Sequence, residues 1–143
     1  MTFKGISIDG VDDLGEMLTG FAPREAESLL RGTVQGTASK VAKAIRRNAP
    51  RGATKSLKSA KKIRAVRRRP VGNLVFSDIK ADPKDAFYWR FVEHGTPAAT
   101  AKPFVNPVIE EFRPELPKIY RSEFGKRLEK KLARRAKKAV KRV

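Results

Sequence analysis

After Pro23 the residues Ala26, Leu29, Leu30, Val34, Ala38, Val41, Ala42 and Ile45 recur every three or four positions. That spacing holds them on one helical face, so it predicts a long amphipathic helix that starts at the proline and ends before Pro50. Arg46 and Arg47 fall in its last turns, where the helix dipole favours cations. Gly32 and Gly36 weaken it by up to about 1 kcal/mol each relative to alanine. Small residues there would let another backbone come close. Upstream, Phe3, Ile6 and Ile8 alternate with polar residues as in a short strand, stopped by the turn signal Asp9-Gly10. Val11, Leu14, Met17 and Leu18 then suit a short helix, with Asp12 near its positive end.

Downstream, Arg51 to Ser59 reads as a polar loop. Ile63, Ala65, Leu74, Phe76 and Ile79 alternate around Pro70, Gly72 and Asn73, which predicts a β-hairpin with a basic tip from Arg67 to Asn73. Its mix of charge and modest apolar content suits exposure on at least one face. Asp82-Pro83 breaks the chain, and the aromatic-rich segment holding Ala86, Phe87, Trp89, Phe91 and Val92, helical or extended, ends at Gly95. Asn106-Pro107 reads as an N-cap and first helical residue. From Ile109 to Val140 a helical period continues, and Pro114 and Pro117 should kink or split it early. The fold class is therefore α+β: a small antiparallel sheet with a long amphipathic helix, a basic β-hairpin and a C-terminal basic helix. Residues 1–124 form the expected α+β domain, and 125–143 a basic helical extension.

Charge changes this picture from a generic small domain to one that meets polyanions. The 143 residues carry a formal net charge of +18, far beyond the magnitude of about 2 to 8 that solubility requires. The excess is unevenly placed. Up to Leu30, Lys4 and Arg24 face Asp9, Asp12, Asp13, Glu16, Glu25 and Glu27, whereas Lys40 to Pro70 contains no acid. From Gly125 onward Glu129 stands alone among basic side chains. One acidic end and two basic surfaces suit head-to-tail contact between copies. Arg67, Arg68 and Arg69 at the hairpin tip, with Lys130, Arg134 and Arg135 on the last helix, are the candidates to face DNA or another polyanion. Phosphate contacts of that kind carry no base information. The N-terminus has no signal-peptide pattern and no run is long enough for a membrane span, so a soluble, intracellularly made protein is expected.

The chain has no cysteine, which excludes disulfides and thiolate metal sites. His94 is the only histidine and neighbours Glu93. No second histidine or nucleophile accompanies the pair, so no catalytic residue, metal site or cofactor is assigned. Structural roles account better for the stretch. Gly95 can take the positive φ of a sharp turn, Thr96 can hydrogen-bond the local backbone, and Glu93 can pair with an arginine from a neighbouring element. Phe104, bracketed by Pro103 and by Pro107 further on, reads as a rigid apolar plug.

Four segments in this order resemble the head–tail joining, tail-completion or minor tail proteins of long-tailed siphophages. They are IDGVDDL (8–14), NAPRGATKSLKS (48–59), YWRFVEHGT (88–96) and AKPFVNPVIEEF (101–112). The last two together are the specific ones. His94 stands where an aromatic is common, and Asn106 where arginine is frequent. The resemblance implies a non-enzymatic virion protein, made in the host bacterial cytoplasm, that forms a ring at the head–tail junction or tail end. It implies a homo-oligomer, six-fold or twelve-fold, between connector or stopper proteins and tail-terminator or tail-tube proteins. Passing double-stranded DNA would be touched non-specifically, and no membrane is involved. Glu93, His94, Gly95, Thr96, Pro103, Phe104 and Pro107 would then form a clamp at the subunit or partner boundary. The competing class is a basic nucleic-acid-binding protein of nucleoid or ribosomal type.

Overall fold

The computed structural model describes residues 13–50 and 63–143, with the side chains of 83–88 left out. The expected strand around Phe3, Ile6 and Ile8 and the loop from Arg51 to Ser59 lie outside these residues. Among the described residues five α-helices and one hairpin follow one another: α1 (Asp13–Glu16), α2 (Pro23–Asn48), β1 (Arg64–Arg67), β2 (Ser77–Lys80), α3 (Pro83–His94), α4 (Asn106–Phe112) and α5 (Leu116–Lys141). A single 3-10 turn, Arg113–Glu115, separates α4 from α5. Pro114 and Pro117 fall at this junction, where each lacks the N–H an unbroken helix would need.

Helices α2 and α5 are the frame. Each has 26 residues, about 39 Å of helix. They run antiparallel, because Lys40 of α2 meets Glu123 at 3.1 Å while Glu25, near its start, bonds Arg135. Between them Leu14, Leu29, Tyr120 and Phe124 form a small core, completed by Leu18, Leu30, Val34 and Leu128. Burial pushes the Tyr120 phenol pKa up. Gly32 and Gly36 do permit a close approach, though not of backbone: the side chains of Arg127 and Glu123 lie across them. The buried hydroxyls of Thr33 and Thr37 donate to the carbonyls of Leu29 and Thr33, four residues back, so neither is left unsatisfied.

The other half of α2 carries the larger core. Val41, Ala42, Ile45 and Ala49 pack with Ile63, Phe104, Val105, Val108 and Leu116. The hairpin leans on α2 through Gln35, whose Nε2 donates to the carbonyl of Ala65 (2.9 Å) and whose Oε1 accepts from Ser77 Oγ (2.7 Å). β1 and β2 pair antiparallel from Arg64 opposite Lys80 to Arg67 opposite Ser77. Beyond them a Val71–Leu74 bridge closes the tip, with Gly72 at φ +58° supplying the turn. The two-stranded hairpin is the whole described sheet.

Candidate functional site

Glu93, next to last in α3, has its side chain turned inward and only 3% of the residue exposed. One carboxyl oxygen accepts the main-chain N–H groups of Phe104 (2.8 Å) and Val105 (3.0 Å), and the other accepts that of Asn106 (2.9 Å). These donors lead into and open α4, whose first N–H groups have no partner inside the helix. The N-cap position is Val105, which has no capping side chain, so Glu93 caps α4 from another helix. This corrects two expectations. Asn106 is the first helical residue rather than the cap, and Glu93 pairs with backbone rather than with arginine.

The chain between Glu93 and its three donors is fixed at several points. Gly95 ends α3 at φ +75°, and its N–H donates to the Phe91 carbonyl (2.8 Å). A Cβ there would stand 2.8 Å from the Ala101 nitrogen, so only glycine fits. Thr96 and Ala99 exchange main-chain hydrogen bonds of 2.8 and 3.1 Å around the Pro97-Ala98 turn. The Lys102 N–H returns to the Val92 carbonyl at 2.8 Å. Phe104, 3% exposed, meets Trp89 edge-to-face at a ring separation of 5.2 Å. Its carbonyl accepts from Asn48 Nδ2 of α2. The result is a short rigid loop with Pro97, Ala98, Ala99, Lys102 and Pro103 exposed at its rim.

The expected clamp residues thus divide by role. Glu93 and Phe104 point into the chain's own core, each 3% exposed, and hold the loop. Gly95 and Thr96 shape it through their main chain. His94, Pro103 and Pro107 are exposed beside it. What sequence reasoning missed was the target of Glu93. Asn106-Pro107 looks self-sufficient as a helix start, and that concealed the need for a donated cap.

The two basic regions sit against α2 on different elements. At the hairpin tip Arg67 and Arg69 are exposed, while Arg68 is held by Asp78 (3.7 Å) and lies 5.5 Å from the Phe76 ring centre. On α5, Arg135 is bound to Glu25 and stacks over Phe21 at 4.3 Å. The Arg135 hydrogen bond holds the Glu25 carboxyl below the usual range. Likewise a two-pronged Arg121 contact (2.8 and 2.7 Å) holds Asp13 down and ties α1 to α5. Between the start of α2 and α5 runs an open groove of about 530 Å³, lined by Lys130 and Arg134 among other cations but by none of the hairpin arginines. Among the described residues no helix is long and apolar enough to cross a membrane.

A family model described as "Bacteriophage HK97-gp10, putative tail-component" matches residues 12–95. The match covers α1, α2, the hairpin and α3 and stops at Gly95. No curated protein and no solved structure matches the chain.

Proposed function

The chain belongs to the HK97 gp10-like family of bacteriophage tail components, and from that membership we propose that it is a structural subunit of a ring at the head–tail junction or tail end. The observation that carries the finer reading is the loop pinned by Glu93. A surface already rigid before contact loses little conformational entropy on docking, which favours assembly over catalysis as its use. In this reading Ala98, Lys102 and Pro103 meet the next copy or an adjoining connector, terminator or tube protein. Glu93 and Phe104 act only by keeping that rim in place.

The test is electron microscopy of particles from a strain carrying Ala98→Glu, beside parent and gene deletion. The substitution adds a charge at an exposed turn residue, so the purified chain should keep its thermal midpoint. Filled heads and tails lying unjoined, or tails of abnormal length, are expected in both altered strains. Normally joined particles in the deletion strain would overturn the reading. Joined particles in Ala98→Glu alone would remove the loop rim from it.

A further inference from the structure

We propose that the groove between α2 and α5 is a binding site for the sugar-phosphate backbone of double-stranded DNA. Arg127, Lys130, Arg134 and Lys137 line it at intervals of three and four residues, with Lys138 beside them, so one face of α5 offers a cation on every turn. One turn advances about 5.4 Å. A duplex carries one phosphate per roughly 3.4 Å of axis on each strand, so a helix laid along it keeps a cation within reach of successive phosphates. Among the described lining residues the one carboxylate, Glu25, is engaged by Arg135, and its main-chain carbonyl accepts from Lys131 (3.1 Å).

Double-stranded DNA is favoured over an acidic protein by the residue types of the lining. Lys130, Lys131, Lys137 and Lys138 all line it, whereas protein interfaces are depleted in lysine. Lysine as a point charge suits phosphates and reads no sequence. The site also separates two basic regions that look equivalent in the sequence. Arg68 is occupied at the hairpin tip, and Arg135 is spent on Glu25 and Phe21. Within the groove Arg127 is paired with Glu123 (3.8 Å) and Lys131 with the Glu25 carbonyl, so Lys130, Arg134 and Lys137 are the proposed contacts, and the exposed Arg67 and Arg69 of the hairpin tip serve as the comparison. The inference stands on the groove itself and borrows from the tail reading only the source of the DNA.

Fluorescence anisotropy of the full chain with a mixed-sequence duplex of about 20 base pairs, across a salt series, tests it. The triple variant Lys130→Gln, Arg134→Gln, Lys137→Gln is compared with Arg46→Gln, Arg67→Gln, Arg69→Gln, which removes the same charge elsewhere. Circular dichroism confirms that both fold. The groove variant should bind at least about ten-fold more weakly and lower the salt slope by about 2 to 3, as expected for three lost phosphate contacts. The control should change affinity by less than about three-fold. Equal losses in the two variants would mean that net charge alone attracts DNA, and would overturn the site. So would a wild-type chain that ignores the duplex but binds polyglutamate, which would assign the groove to an acidic protein. Neither result bears on whether heads and tails join, which the microscopy scores separately.

Discussion

A carboxyl group enclosed by three main-chain donors cannot be altered without leaving some of them bare. Glu93→Gln keeps the shape but replaces one accepting oxygen with an amide that cannot accept, next to N–H groups that cannot move away. Hydrogen bonds to charged groups contribute about 1.5–3 kcal/mol each, and an orphaned buried donor costs about as much. The expected loss is about 3 kcal/mol, read from urea unfolding of the purified chain. Glu93→Ala should lose more. At Gly95 the argument is steric. Gly95→Ala would force a left-handed residue, costing about 1–2 kcal/mol, and would bring a Cβ onto the Ala101 main chain. The same unfolding series should place it at least about 2 kcal/mol below wild type. The glycine was legible in the sequence, because a glycine after an apolar run announces a helix stop. The role of Glu93 was not, since its partners are backbone atoms, which carry no residue signature.

At the scale of elements, the two 26-residue helices are held together partly by a small core and partly by ionic clasps at their surfaces. Asp13 and Glu25 both have pKa values lowered in the folded chain by arginines of α5. A carboxyl whose folded pKa is depressed stabilises the fold above its ordinary value, and that contribution disappears as pH falls through the lowered one. The thermal midpoint should therefore hold from pH 7 to 5 and fall below about pH 4. In the double variant Asp13→Asn, Glu25→Gln that acid fall should be shallower, which differential scanning calorimetry would register. The helices themselves were readable from their apolar period, and the break between α4 and α5 from Pro114 and Pro117. Their mutual arrangement was not. Gly32 and Gly36 suggested close backbones, whereas long side chains of Glu123 and Arg127 fill the space. Periodicity reports which face is covered but not by what.

Across the whole molecule, the contacts of α5 with other described residues run as far as Arg135, which meets Phe21 and Glu25. Past that point the helix continues with exposed side chains, Val140 at 76% among them. A chain ended after Ala136 should keep its thermal midpoint within about 2 °C while losing the lysines at 137 and 138 from the groove. A larger drop would show that the distal turns stabilise the body. The antiparallel pairing of α2 with α5 also bears on how the chain is made. Among the described residues, Leu14 and Leu29 get their buried aromatic cover from Tyr120 and Phe124, roughly a hundred residues later. Synthesis delivers the N-terminal part first, at about 5–20 residues per second. For several seconds, then, the emerging chain lacks the aromatic side chains that cover Leu14 and Leu29 in the fold. The helix that covers them emerges only afterwards, and crowding many ribosomes on one message would expose those uncovered side chains to one another.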